Sequence, residues 1–237
     1  MATKSSGEIE ALSDLMKFAD EASLHEGGWL FRGQREDLPL LPRLARGDVN
    51  PAIFDVEQQM LSEFKIRSRP YLEIQPESDW DWLALAQHNG MATRLLDWTE
   101  NLLAALWFAV REEPHDGNDG VFWFFFSPQG NILGDESKVT PFDAPTTITF
   151  RPKHITPTIV AQGGWFTAHR CDPSTKRFVA LEEDETYKDQ LVKFTFKAGS
   201  FGKLRQQLDL CGVNNASLFP GLRGLCAHMD WKFGLVR

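Results

Sequence analysis

The pattern of apolar and polar positions predicts helices in the first half of the chain and strands in its middle. Apolar residues spaced three to four apart indicate helices, and short apolar or alternating runs bounded by Gly or Pro indicate strands. The predicted helices cover 8–24, a segment that begins at Asn50-Pro51, 78–88, 102–110, 201–210 and 217–233. The predicted strands cover 29–32, 121–126, 146–150, 158–161, 165–169, 177–181 and 191–197.

The order of these segments favours an α+β fold, with helices first, then a mixed or antiparallel sheet, then C-terminal helices. Strands and helices do not alternate regularly, which disfavours a doubly wound parallel sheet. The run Leu102–Val110 is apolar almost all round, so its helix is expected to be buried under the strand Val121–Phe126. We expect one domain over residues 1–237, with 200–237 as an appended helical cap. The helix after Asn50-Pro51 is expected to turn these residues inward: Ile53, Val56, Met60, Leu61 and Phe64.

Composition and charge narrow the classes of partner. Hydrophobic residues make up 42% of the chain and the formal net charge is −8, which argues against duplex DNA and anionic membranes as partners. No apolar run is long enough to span a bilayer and no apolar signal core opens the chain, so a cytoplasmic location is expected. The three cysteines have no CxxC spacing and are expected to be reduced, mostly buried thiols without a metal.

Two segments carry more oriented polar groups than folding requires. The first is Phe31-Arg32-Gly33-Gln34, and the second runs from Gln87 to Thr99 with the sequence QHNGMATRLLDWT. Together they resemble the FRG domain family, which is named for a Phe-Arg-Gly tripeptide and has a second signature of the form QH.G..TRLLDWT before an AL.FA helix. The resemblance covers about 25–110 and implies where a site lies, while the family has no generally agreed activity. A weaker similarity continues at 161–167 and 217–220.

Arg32 has two interpretations. It can join two elements by pairing with Asp97 or Glu100, or it can hold a phosphate or carboxylate bidentately while Gly33 lets the ligand approach the backbone. The neighbouring Gln34 is not needed for a structural pair, so we favour a ligand site that includes both residues.

The second segment offers a base and further anion ligands. His88, with Gln87 beside it, is either a cap at a helix end or a general base. Thr93 and Arg94 together can present several donors to one anion, although a salt bridge from Arg94 to Asp97 would explain the arginine equally well.

Asp97, Trp98 and Thr99 precede the buried helix. Asp97, Thr99 or Asn101 can cap that helix, and the amides of its first turn can bind an anion. Trp98 is either core or a stacking platform for a ligand. Gln162, before two glycines, is either part of a β-bulge or a further group in the same pocket.

The order of these residues is similar to that of ADP-ribosyltransferases, in which an early arginine holds the diphosphate of NAD. Arg32 and Thr93 fit this order, but Gln162 stands where an acid is expected, so Asp97 or Glu182 would have to replace it. The leading hypothesis is therefore an NAD-using, ADP-ribosyltransferase-like enzyme that binds a phosphorylated small molecule, with a protein as a further possible target. The family resemblance, not these residues, adds a toxin or phage-defence effector as the context.

Two other classes of function remain open. One is a non-catalytic module that senses a phosphorylated ligand or a partner protein. The other is an RNase-like enzyme that uses His88 with Arg32 and Arg94. Because all three hypotheses need one anion site, we expect Arg32, Thr93, Arg94 and Asp97 to converge in a single cleft.

Overall fold

The computed structural model describes residues 4–23, 28–46, 53–128, 131–134, 139–153, 156–172 and 174–236. Within these ranges the chain forms one seven-stranded sheet and eight α-helices. The strands are β1 (Lys4–Glu8), β2 (Trp29–Gln34), β3 (Leu95–Thr99), β4 (Gly120–Phe126), β5 (Ile148–Phe150), β6 (Gly164–Ala168) and β7 (Leu191–Phe196). The helices are α1 (Leu12–Ser23), α2 (Ile53–Ser68), α3 (Asp79–His88), α4 (Leu102–Val110), α5 (Pro157–Gln162), α6 (Phe201–Leu210), α7 (Asn215–Leu218) and α8 (Leu222–Lys232). None of the helices in this part of the chain is long and apolar enough to cross a membrane.

The sheet is mixed, with the strand order β1-β7-β4-β2-β3-β6-β5. The pair β1–β7 is parallel and the other five pairs are antiparallel. This confirms the α+β class. It corrects the expectation that helices come first, because β1 precedes α1 and the strands β2 and β3 lie among the helices of the first half.

Strand β4 lies near the centre of the sheet and is buried on both faces. Its period of two sends Phe122 and Phe124 into a core with α4 and α6, and sends Trp123 and Phe125 into a core on the other face. The predicted buried helix is confirmed as α4, which packs in the first of these cores.

Gly33 explains how closely α4 can approach β2. A Cβ atom added at Gly33 would lie 2.2 Å from the carbonyl oxygen of Ala105 and 2.7 Å from the Cβ of Ala109. The structure therefore gives this glycine a packing role on the α4 side, where the sequence suggested room for a ligand.

Three predicted elements are wrong. Residues 158–161 lie in α5, because the Oγ1 of Thr156 accepts a bond from the first turn, Pro157 occupies its first position, and Gly163 ends the helix at φ +58°. Residues 177–181 form no strand, and only Phe178 makes an isolated bridge. The helix predicted over 217–233 is divided into α7 and α8 at Gly221, where φ is +126°.

Helix α2 is also turned differently from the prediction. The expected cap at Asn50-Pro51 lies outside the described residues. Within the helix, Val56 is 38% exposed, whereas the adjacent Glu57 is fully buried. Leu61 is buried as expected. The thiols also differ from the expectation: all three are free, but only Cys171 is buried.

Candidate functional site

A cavity of about 580 Å³ opens where β2 and β3 separate. These antiparallel neighbours pair only at Phe31 and Thr99, and the strands then diverge toward Gln34 and Leu95. We call this space the β2–β3 cavity. Nine residues predicted for the site contribute to its lining: Arg32, Gly33, Gln34, Gln87, His88, Asp97, Trp98, Thr99 and Gln162.

Arg32 is held at one edge of the cavity by two neighbours. Its Nη1 donates to the backbone oxygen of Asp97 at 2.6 Å, and its Nε donates to the Oε1 of Gln34 at 3.0 Å. The amide nitrogen of Gln34 is fixed in turn by the backbone oxygen of Leu38, at 2.7 Å. The Nη2 of Arg32 has no partner among the described residues, so one edge of the guanidinium is available to a ligand.

Burial lowers the pKa of Arg32 to about 10, while the carboxylate of Asp97 opposes that shift and Arg46 adds to it. A pKa near 10 leaves the guanidinium charged at neutral pH. A charged group that has lost part of its hydration gains more from an anion than a fully solvated one does.

The carboxylate of Asp97 is oriented by a short chain of hydrogen bonds. The Oγ1 of Thr93 donates to the Oε1 of Gln87 at 2.8 Å. The Nε2 of Gln87 then donates to Asp97 Oδ2 at 3.1 Å and to the backbone oxygen of Leu95 at 3.3 Å. Thr93 is fully buried and outside the cavity lining, so it acts through Gln87 and not on a ligand directly.

Arg46 is a lining residue that the sequence did not single out. Its Nε donates to the backbone oxygen of Leu41 at 3.0 Å. Burial lowers its pKa, and Asp97 and Glu36 oppose the shift. Its segment has no regular period, so no sequence pattern distinguished this arginine from other loop residues.

A smaller hollow of about 260 Å³ adjoins the cavity and brings in a third arginine. Arg43 lines it together with Arg32, Arg46 and Asp97, and Arg43 also donates to the backbone oxygen of Gly90. Three arginines and one aspartate thus line the same hollow. This leaves an excess of positive charge at the cavity, within a chain of net charge −8.

His88 lines the cavity from the end of α3. Burial lowers its pKa below the ordinary 6.5, and Asp97 opposes the shift. The imidazole is therefore mostly neutral at pH 7, the state in which it can accept a proton. Its Nε2 lies 3.5 Å from the Oγ1 of Thr156.

Trp98 is mainly a core residue. It is 3% exposed, its Nε1 donates to the Oγ1 of Thr167 at 3.0 Å, and its ring packs 5.0 Å from that of Phe125. The half-buried Trp165 offers the cavity a more accessible ring, although the sequence pattern predicted for it only a place in a strand.

A second carboxylate lies beside Trp165. The Oε2 of Glu100 accepts from the Nε1 of Trp165 at 3.2 Å, and its Oε1 lies 3.3 Å from the guanidinium of Arg151. Glu182, the other acid considered from the sequence, lies outside the cavity lining and accepts from the backbone nitrogen of Leu40 at 3.1 Å. Burial raises the pKa of Glu182.

Of the three expected caps of α4, Asp97 and Thr99 are wrong, because both residues lie in β3, and Asn101 is confirmed. Asn101 caps α4, and its Oδ1 accepts from the amides of Leu103 at 3.0 Å and Ala104 at 3.1 Å. These two amides are thus occupied, which removes the anion site expected there.

Thr99 and Gln162 tie the cavity to the C-terminal helices. The Oγ1 of Thr99 donates to the backbone oxygen of Gln162 at 2.5 Å, and the Nε2 of Gln162 donates to the backbone oxygen of Leu218 at 3.1 Å. Gln162 ends α5, so the β-bulge interpretation of this position is wrong.

Arg94 does not join the other predicted residues. It is 1% exposed and outside the cavity lining, and its Nε and Nη2 donate to the Oε2 of Glu57 at 2.9 and 2.7 Å. Its Nη1 donates to the backbone oxygen of Pro141 at 2.9 Å. The expected convergence therefore holds for Arg32 and Asp97, places Thr93 one side chain behind them, and fails for Arg94.

Comparison with protein families adds a match that spans this arrangement. Residues 27–118 match the family described as FRG domain. The chain contains an FRG domain. The match includes β2, α2, α3, β3 and α4, and therefore Arg32, Arg46, Gln87 and Asp97, while Trp165 lies beyond it. Comparison with curated proteins and with solved structures gives no match. Among the described residues, no group of three or more His, Cys, Asp or Glu side chains is placed to hold a metal ion.

Proposed function

We propose that the β2–β3 cavity of the FRG domain binds a small organic phosphate, with the phosphate held by Arg32 and Arg46. The observation that carries this proposal is the guanidinium of Arg32, which is charged, partly desolvated and without a partner at Nη2 among the described residues. The oxygens of a phosphate, like those of a carboxylate, suit the planar donors of arginine.

The charge of the cavity supports an anionic ligand. Its lining contains the arginines Arg32, Arg35, Arg46 and Arg111 and the carboxylates Glu36 and Asp97. Positive groups therefore exceed negative ones locally, although the whole chain is acidic. A local field of this sign favours an anion over a cation or a neutral ligand.

The size and walls of the cavity favour a nucleotide over inorganic phosphate. A volume of about 580 Å³ lies within the range of small-molecule sites, roughly 300–1,000 Å³. The rings of Phe108, Trp165 and Phe219 are part of the lining, and aromatic faces stack well on planar bases.

Calorimetric titration tests the proposal with ATP, ADP, NAD, adenosine and inorganic phosphate as ligands. We expect at least one nucleotide to bind, adenosine to bind much more weakly, and Arg32→Ala to weaken nucleotide binding about 10- to 100-fold. Arg67→Ala is the matched control, because the side chain of Arg67 is 81% exposed and lies outside the cavity. Equal affinity of the two variants would show that Arg32 does not contact the ligand.

A second candidate function is cleavage of NAD in the same cavity, as expected of a toxin or defence effector. Asp97 favours it, since its carboxylate shares the lining with Arg32 and is oriented by Gln87. Breaking the bond between nicotinamide and ribose releases nicotinamide with the bonding electrons and leaves an oxocarbenium ion, which a nearby carboxylate stabilises until water adds to it and loses a proton. Release of nicotinamide by wild type and its loss in Asp97→Asn, with NAD affinity kept, would support this role. Binding of NAD without release would leave a sensing module.

The RNase-like alternative depends on His88. Its pKa, lowered by burial, suits a general base, but the overall acidity of the chain disfavours a large nucleic-acid footprint. Cleavage of RNA by wild type but not by His88→Ala would support this function over the other two.

A further inference from the structure

The C-terminal helices enclose a second cavity, of about 180 Å³. We call it the C-terminal cavity. Most of its lining lies in α6, α8 and the loop before α7, beyond the segment that matches the FRG domain. Its aromatic and ionisable lining residues include Trp107, Arg111, Arg205, Asp209, His228 and Trp231.

Arg205 leaves one buried donor without a partner. The residue is 8% exposed, its Nη1 donates to the backbone oxygen of Arg111 at 3.1 Å, and its Nη2 donates to Glu113 at 2.9 Å. The Nε is buried and has no hydrogen-bond partner in the described part of the chain. The guanidinium carbon lies 5.7 Å from the ring centroid of Trp231.

His228 also has a buried nitrogen without a partner. It is 7% exposed, and its Nδ1 is buried without a hydrogen-bond partner among the described residues. Its Nε2 lies 3.8 Å from the Oδ1 of Asp209, and its ring packs 5.9 Å from that of Trp231. The two unpartnered groups thus belong to residues that are more than nine-tenths buried and line the same cavity.

Buried polar groups without partners are costly, so native proteins normally pair them with protein, water or ligand. One water is much smaller than this cavity. A carboxylate has two acceptor oxygens, so it can accept from the Nε–H of Arg205 and from the Nδ1 of His228 when that nitrogen carries the proton.

We propose that the C-terminal cavity is a second ligand site, which binds a small carboxylate of amino-acid size. The volume is below the usual range of drug-sized ligands, which limits the guest to a few heavy atoms. Asp209 and Asp230 also line the cavity. They oppose a dianion such as phosphate and can accept from the ammonium group of an amino acid.

Calorimetric titration with the twenty amino acids, acetate and inorganic phosphate tests this assignment. We expect at least one amino acid to bind more tightly than phosphate. We expect His228→Phe, which keeps a ring but removes the donor, to weaken that binding about tenfold or more. His115→Phe is the matched control, because His115 is half-exposed and outside this cavity.

A second variant guards against a folding defect in the first. Ala227→Met extends a side chain into the C-terminal cavity from α8 and leaves both Arg205 and His228 in the sequence, and it should abolish binding while the unfolding transition stays cooperative. Arg32→Ala should bind the amino acid as wild type does, which separates this site from the β2–β3 cavity. No binding by wild type at millimolar concentration, or full binding by both His228→Phe and Ala227→Met, would overturn the proposal.

Discussion

Replacing Arg94 with Met should destabilise the fold strongly, because it leaves the carboxylate of Glu57 buried without its charge partner. Glu57 is 0% exposed and Arg94 is 1% exposed. Met roughly fills the volume of the arginine stem but donates no hydrogen bond. After the change, the backbone nitrogen of position 94, now 2.8 Å from the Oε1 of Glu57, is one donor that the carboxylate would keep.

The expected loss in the free energy of unfolding is about 3–5 kcal/mol, the usual cost of removing one member of a buried ion pair. Replacing both members should cost less than that, since well-packed apolar residues often match a buried pair in stability. The double variant Glu57→Leu with Arg94→Met should therefore be more stable than Arg94→Met alone.

Urea unfolding followed by circular dichroism gives the three free energies. Arg67→Met is the matched control on α2, because Arg67 pairs with Glu63 at 2.9 Å in an exposed position, and its loss should change the free energy by no more than about 0.5 kcal/mol. A fall of less than about 1 kcal/mol in the free energy of unfolding of Arg94→Met, together with a large loss of nucleotide affinity, would refute this reasoning. It would indicate instead that Arg94 contacts the ligand.

Three further predictions test packing, positioning and titration. Gly33→Ala should destabilise the fold by about 1–3 kcal/mol or more in thermal unfolding, because the added Cβ would lie 2.2 Å from a carbonyl oxygen of α4. Gly28→Ala is the control and should be near neutral, because a Cβ there has no atom within 4 Å. Thr93→Val should weaken nucleotide binding by calorimetry about tenfold although Thr93 does not line the cavity, because Gln87 loses the donor that orients it; an unchanged affinity would contradict that role. Burial lowers the pKa of His169 to about 4, so the unfolded chain binds more protons between pH 6.5 and 4. The free energy of unfolding should fall by up to about 3 kcal/mol as the pH drops through that window, and an equal fall in His169→Gln would contradict the assignment.

Elements with long or clear patterns were predictable from the sequence. The apolar run of α4, the buried strand β4 and the alternating strand β7 lie where expected, within one or two residues. The strand β3 was not predicted, because Asp97 is its one exposed residue among four buried ones, which gives no alternation. The sequence also offers Asp97 and Thr99 as caps beside Asn101, which places the start of the helix over residues that belong to β3.

In one segment, the capping residues on either side outweighed the β-propensity of the residues between them. Residues 158–160 are Thr, Ile and Val, which favour a strand. Yet Thr156 and Pro157 before them form a regular helix start, and Gly163 supplies the left-handed stop. The capping residues on either side were the better guide, because they satisfy backbone groups that a short helix cannot pair internally.

The face of helix α2 that is buried could not be predicted from a single sequence. Its apolar period placed Val56 inward, and a glutamate beside it would ordinarily face solvent. The phase is set instead by Arg94, about 40 residues later, which needs a buried carboxylate. Arg43 and Arg46, in the loop before α2, could not be singled out for the same reason. Their role depends on contacts with residues that are distant in the sequence.

The residues of the signature segment, which suggested a ligand site, have two different roles in the structure. Some line the cavity, and others hold the neighbouring side chains and strands in place. Asp97 lines the β2–β3 cavity, whereas Thr93 orients Gln87 and Arg94 locks β3 to α2. A buried donor needs a partner whether that partner is a ligand or another side chain, so polar residues in a motif do not by themselves identify a site. A ligand site is indicated only where a hydrogen-bond donor has no protein partner and lies beside a cavity. Arg32 meets that condition and Arg94 does not, which is why the proposed function depends on the first arginine and the stability prediction on the second.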